Sequence, residues 1–159
     1  MLTLEAVFAD IRPLFHGEKL VPDILLTKAQ VHEGCTQKAP YNLSEPLYRA
    51  IVTEYEEASR ALVAGQDEDL AVVWTTTWCP LMNHISLVGK YLERFYIRRN
   101  QLPGLVEIGT EAFARAVAGA GLPPDALQKL RDDLETRGQG QASRLLSLLP
   151  PLPAASPGG

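Results

Sequence analysis

Residues 105–117 read LVEIGTEAFARAV, and their spacing indicates the architecture of the whole chain. Apolar and small residues recur at the i, i+3, i+4 and i+7 positions that share one face of an α-helix. These positions are Leu105, Ile108, Gly109, Ala112, Phe113, Ala116 and Val117. Because several of them are small, we expect this helix to pack closely against a neighbour.

The same helical periodicity extends along most of the chain on both sides of this segment, which is the fifth of six predicted helices. Pro80 falls inside the fourth helix and must kink or split it, since proline removes a backbone hydrogen bond. No stretch alternates like a strand, so the sequence predicts an all-α fold, a bundle of five or six helices. The other predicted helices cover residues 3–15, about 22–36, about 44–64, 67 to 98 or 99, and a stretch from 123, with a short possible helix before 149.

The chain has 159 residues, which suits one domain. We assign residues 1–149 to one helical domain. Residues 150–159, PPLPAASPGG, are too rich in Pro, Gly and Ser to pack, and we expect a disordered tail there.

Composition argues against several classes of partner. A net charge of -4 gives no electrostatic reason to bind nucleic acid or an anionic membrane, and the cluster Arg94, Arg98 and Arg99 is interpreted as a solvated helix end. No segment reaches the roughly 18 apolar residues of a membrane span. Two cysteines without a signal peptide indicate free thiols and a cytoplasmic or nuclear protein.

The sequence has no pattern typical of catalysis or of a cofactor site. It has no glycine-rich phosphate loop, no CxxC, no HExxH and no GxSxG. His16, His32 and His84 lie far apart, without a carboxylate at ligand spacing. We therefore expect no enzyme activity, no metal or cofactor and no small-molecule substrate. A site built from a histidine with Cys35 or Cys79 stays open as the alternative.

The second predicted helix has more apolar surface than one core face needs. Thr27, Val31 and Cys35 form an inward line, and Ile24, Lys28 and His32 form a neighbouring one. Leu25 and Ala29 extend the far edge of that second line. Either this helix is buried on several sides, or one of its edges is exposed and receives a partner helix.

Four blocks of sequence resemble the first N-terminal repeat of the cullins, the scaffold proteins of modular ubiquitin ligases. The blocks also agree with that repeat in their order and spacing. Residues 90–99, KYLERFYIRR, are similar to the cullin pattern Tyr-Leu-Asp/Asn-Arg, any residue, Tyr/Trp-Val and basic residues. The weaker blocks are VHEGCT at 31–36 with Leu47–Tyr48, LVEIG at 105–109 with FAR at 113–115, and Arg137–Gly138 with RLL at 144–146. The resemblance covers residues 3–149, and the spacing from Tyr91 to Phe113 fits the cullins that bind BTB-domain adaptors.

The resemblance implies an adaptor-binding module whose second and fifth helices grip an adaptor protein. Val106 also lies at the flank of the apolar face of the fifth helix, where an accessible apolar contact is expected independently of the family. The adaptor-binding residues that the resemblance implies are Ile24, Leu25, Lys28 and His32 on the second helix, and Val106, Glu107 and Thr110 on the fifth.

Three departures from the cullin pattern bear on this expectation. Cullins often place aromatic residues at the positions of Ile24, Lys28 and His32, and Ser143 stands where the family has Asp. The later repeats and the domain that recruits the RING protein are absent, so we expect a fragment or a stand-alone cullin-like protein. The alternative interpretation is a structural module, unrelated to ubiquitination, that forms a homo-oligomer through its second helix.

Overall fold

The computed structural model describes residues 2–15, 24–64, 69–137 and 141–149. Within these ranges the chain is helical and contains no strand, so the predicted all-α bundle is confirmed. The helices are α1 (Leu4–Phe15), α2 (Ile24–Thr36), α3 (Ser44–Ala64), α4 (Leu70–Val73), α5 (Cys79–Val88), α6 (Lys90–Leu92), α7 (Leu105–Gly119), α8 (Pro124–Arg137) and α9 (Ala142–Leu148).

The apolar stripes that predicted these helices face the core. All seven positions of the α7 stripe are buried, and α7, the predicted fifth helix, packs against α3, α5 and α9. In α3 the positions Leu47, Ile51, Tyr55 and Ala58 are buried, whereas Leu62 is half-buried. Hydrophobic burial at a period of 3.6 residues therefore explains where these helices lie.

Pro80 divides the long fourth helix, as the sequence predicts. A π turn, Trp74–Trp78, follows α4, and the Cys79 N–H donates to the Trp74 carbonyl five residues back. The α-helix resumes as α5, with Pro80 in its first turn, where a missing N–H is tolerated. A second π turn, Glu93–Ile97, follows α6.

Aromatic rings fill the centre of the bundle. Trp78 and Tyr55 are 0% exposed, and their ring centroids are 5.6 Å apart. Phe113 of α7 packs against Trp74 at 5.2 Å and against Trp78 at 5.7 Å. This cluster fixes α7 against the segment that runs from α4 to α5.

The helices α5 and α6 hold the two predicted binding helices in place. α2 packs against α1, α5 and α6, and α7 packs against α5. The segment formed by α5 and α6 is therefore a shared support for α2 and α7.

Several predicted features lie outside the described residues. They are the tail at 150–159, His16, and residues 67–68 at the predicted start of the fourth helix. The division into a domain at 1–149 and a tail stays a prediction. No helix in the described part of the chain combines the length and apolarity needed to cross a membrane.

Candidate functional site

The helix α2 has one buried line and one exposed edge. Thr27, Val31 and Cys35 are buried, which confirms the predicted inward line. On the neighbouring line Lys28 is half-buried and His32 is exposed. Ile24 and Leu25 lie in the first turn of α2, but their side chains are outside the described part of the structure. In its described part, α2 therefore has an edge that a partner can reach.

A row of three rings joins this edge to α6. The His32 ring lies 4.2 Å from the Tyr91 ring, edge to face, and Tyr91 lies 4.5 Å from Phe95. Phe95, in the second π turn, is 43% exposed. We call His32, Tyr91 and Phe95 the aromatic row. It carries accessible apolar surface from α2 onto α6.

On the other flank of this segment, the carboxylates of Glu93 and Glu107 both lie near Gly104, at the start of α7. The space beside Gly104, where a Cβ atom would stand, is 2.7 Å from Glu93 Oε1 and 3.9 Å from Glu107 Oε1. Ser86 Oγ donates to Glu93 Oε2 at 3.5 Å. In the first turn of α7, Val106 is half-buried against the core and Glu107 is exposed. Both of these predicted residues reach the surface.

Thr110 does not reach the surface, which corrects its placement among the gripping residues. It is 0% exposed, and its hydroxyl donates to the Val106 carbonyl at 2.9 Å. Its Oγ1 also lies 3.6 Å from Met82 Sδ, inside the contact between α7 and α5. Because neighbours cover α7 on several sides, a position one turn beyond Val106 is already in the core.

The structure brings the two predicted helices together through α6. Tyr91 faces α2, and Glu93, two residues later, lies beside the start of α7. Residues two apart on a helix do not share a face, so these contacts lie on opposite flanks of the segment. Lys90 and Arg94 are exposed between them. We call His32, this exposed face and Glu107 the band.

Two clefts open to solvent border this band. One, of about 670 Å³, lies between the α2–α3 connection and α6 and is lined partly by Cys35, Pro40, Tyr91, Phe95, Tyr96 and Arg99. The other, of about 570 Å³, is lined partly by Asn83, Leu87, Lys90, Glu93, Arg94 and Arg98. Enclosed sites bury most of a small ligand. Open clefts of this kind suit side chains of another protein.

The chemistry of the thiols does not favour a nucleophile. Burial raises the pKa of the Cys35 thiol and raises that of Cys79 to about 11. Both thiols are therefore protonated at neutral pH, and the protonated form is a poor nucleophile. Across the described ranges no group of three or more His, Cys, Asp or Glu residues is placed to hold a metal ion.

Sequence reasoning missed Lys90, Tyr91 and Phe95 as members of this surface. Arg94 and Arg98 were interpreted only as a solvated helix end. A signal was present, because Lys90, Arg94 and Arg98 are spaced i, i+4 and i+8, which places three cations on one stripe. Contact with α2 was not visible in the sequence.

Comparison with known proteins gives one partial similarity. No protein-family model matches the sequence, and no solved structure matches it. The chain is 28% identical over 109 residues to Cullin-1 of Oryza sativa subsp. japonica. The similar region is 64% of this chain and 14% of that protein. This partial similarity supports a cullin-like relationship for the chain.

Proposed function

We propose that this chain is the adaptor-binding module of a cullin-type ubiquitin ligase scaffold, either as a fragment or as a stand-alone cullin-like protein. It binds an adaptor through α2 and α7 and performs no catalysis itself. The observation that carries this proposal is the band formed by the exposed edge of α2, the exposed face of α6 and the start of α7. The similarity to Cullin-1 supports the choice of partner class.

The proposed contact residues are Ile24, Leu25, Lys28 and His32 on α2, with Val106 and Glu107 on α7. His32 and Glu107 are exposed and Lys28 and Val106 are half-buried, so these four are accessible without unfolding. The aromatic row adds Tyr91 and Phe95. Aromatic side chains often anchor protein interfaces, so they compensate for the missing aromatic residues on α2.

The adaptor that we propose is a BTB-domain protein. The supporting feature is the spacing from Tyr91 to Phe113, which fits the BTB-binding cullins. The same proposal places the protein in the cytoplasm or the nucleus, with residues 1–149 as one cullin-repeat-like domain.

The test is a binding measurement on His32→Asp combined with Val106→Asp, using purified BTB-domain adaptors. A carboxylate buried without a partner costs several kcal/mol, and each ~1.4 kcal/mol is tenfold in affinity. We expect affinity to fall at least about tenfold. The control matched to Val106→Asp is Val72→Asp, which introduces one carboxylate at a half-buried valine of α4, away from the band.

Circular dichroism of each variant checks that the helices persist. A folded double variant that binds the adaptor as well as wild type refutes the proposed surface. Light scattering after size exclusion tests the homo-oligomer interpretation. A stable dimer that the same double substitution dissociates would support that interpretation instead.

A further inference from the structure

Three cations form a stripe along α6 and the π turn that follows it. Lys90, Arg94 and Arg98 are spaced i, i+4 and i+8, and all three are exposed. We call these three residues the basic stripe. They line the same cleft, and Arg99 stands beside them in the neighbouring one.

The basic stripe has no acidic partner among the described residues. No described Asp or Glu oxygen lies within ion-pair distance of its three cations, whereas Arg12, Arg49, Arg115, Lys129 and Arg144 all pair with carboxylates. The carboxylate of Glu93, in the same cleft, approaches Ser86 and Gly104 instead. Because the whole chain carries a net charge of -4, this concentration of positive charge is a local departure.

Apolar side chains border the stripe. Leu87 is 41% exposed and Phe95 is 43% exposed, two large hydrophobic residues in contact with water. The Arg94 guanidinium lies 5.4 Å from the centre of the Phe95 ring. A surface that combines unpaired cations with exposed apolar groups fits a partner segment with the opposite charge and its own apolar residues.

We propose that the basic stripe binds an acidic, amphipathic protein segment, whose carboxylates pair with Lys90, Arg94 and Arg98 and whose apolar residues cover Leu87 and Phe95. This inference rests on the proposed function, because the stripe lies in the band between α2 and α7. It adds the chemistry of the adaptor surface that faces α6.

A protein segment matches the surface better than a nucleic acid does. Carboxylates with a helical i, i+4 spacing match the spacing of the stripe, and each carboxylate can accept two hydrogen bonds from an arginine. A long polyanion would also meet the negative charge of the rest of the chain, including Glu93 and Glu107 on the flank.

The experiment compares wild type with the triple variant Lys90→Gln, Arg94→Gln and Arg98→Gln. One probe is a BTB-domain adaptor that binds wild type. The other is a labelled peptide of about 14 residues that repeats Glu at i and i+4 with Leu between, a length of roughly 21 Å as a helix. We expect the triple variant to bind both probes at least about tenfold more weakly at low salt, with a flatter salt dependence.

Two control variants separate charge at the stripe from total charge. Arg12→Gln with Arg60→Gln and Arg115→Gln removes three exposed cations elsewhere and should keep wild-type affinity and salt dependence. Lys90→Arg with Arg94→Lys and Arg98→Lys keeps the charges and should restore the salt dependence.

Each outcome decides between the two proposals. If the adaptor binds the triple Gln variant as tightly as wild type, the acidic-segment inference is overturned and the proposed function stands. If no adaptor binds wild type, the proposed function is overturned, and the peptide measurement then tests the acidic-segment inference. Weaker peptide binding by the triple variant supports that inference. Unchanged peptide binding overturns it. If single-stranded DNA binds the stripe more tightly than the peptide at about 0.15 M salt, the partner class is wrong.

Discussion

Trp78 and Gly109 are joined by a hydrogen bond of 3.0 Å, in which the indole Nε1–H donates to a backbone carbonyl of α7. Both residues are buried. Tyr55 Cε1 and Met82 Sδ stand within 2.9 Å of the place that a Cβ atom at Gly109 would take. The absence of a side chain at Gly109 thus lets α3, α5 and the first π turn approach α7 closely.

The hydrogen bond predicts a difference between two tryptophan substitutions. Trp78→Phe removes the bond and part of the packed volume. Trp74→Phe is the matched control, because the Trp74 Nε1 is buried and has no hydrogen-bond partner in the described residues. We expect Trp78→Phe to lower the free energy of unfolding by about 1 kcal/mol more than Trp74→Phe does. Denaturant unfolding followed by circular dichroism measures both, and equal losses would show that the bond contributes nothing.

The close packing around Gly109 predicts opposite results for two glycines of α7. Gly109→Ala gains about 1 kcal/mol of helix propensity, but overpacking a core costs about 1–3 kcal/mol. We expect a net loss of stability. The Cβ atom that Gly119→Ala adds has no other atom within 4 Å, so this change should leave the stability unchanged or raise it slightly. Thermal unfolding of the two variants distinguishes them, and a stabilised Gly109→Ala would show that Met82 and Tyr55 move aside easily.

Asp69 links the start of α4 to α8. Its side chain accepts from the Ala71 N–H at 3.0 Å and pairs with Lys129. The hydrogen bond from Lys129 is the main reason why the pKa of the Asp69 carboxyl is below its usual 3.8. We expect Asp69→Ala to lower stability by about 1 kcal/mol at neutral pH, the usual value for an N-cap.

The pH dependence of that loss follows from the direction of the shift. A lowered pKa in the folded state stabilises the protein above the ordinary pKa, and this stabilisation disappears as the pH falls through the folded value. The difference between wild type and Asp69→Ala should therefore shrink from about pH 7 to about pH 2. The control is Asp125→Ala, at an exposed position in the first turn of α8. A difference that grows on acidification would contradict this account.

Cys79 provides a test of the absence of an activated thiol. Burial is the main cause that raises its pKa from 9.0 to about 11, so its reaction with a thiol reagent should keep accelerating above pH 9. The raised pKa also predicts that the free energy of unfolding falls as the pH rises from about 9 through about 11, because the folded state holds the thiol proton more tightly than the unfolded state does. Mass spectrometry of modified peptides separates Cys79 from Cys35. A rate for Cys79 that levels off below pH 9 would indicate an activated thiol.

The features that follow from a single helix were predictable from the sequence. The α7 stripe, the inward line of α2 and the division near Pro80 each depend on periodicity or on one residue type, and the structure agrees with all three. Periodicity left open whether the edge of α2 with Lys28 and His32 is exposed, and Glu107 entered only through the resemblance.

The features that depend on contact between helices were not predictable. The resemblance implied that Thr110 contacts the adaptor, but the packing of α5 against α7 buries it. The approach of His32 to Tyr91 requires two segments about 60 residues apart in the chain to meet, which no local pattern shows. For this reason the resemblance predicted α2 and α7 as the binding helices but did not predict the exposed face of α6 between them.

The two π turns have a consequence for comparing this chain with distant relatives. A π turn closes with a bond to the fifth residue back, so it holds one more residue than an α turn in the same helix. Two such turns therefore lie within residues 70–97. An alignment with a relative that has ordinary turns here needs a one-residue gap at each site, placed inside a helix where gaps are usually forbidden. Without those gaps, residues before and after each π turn cannot both be matched.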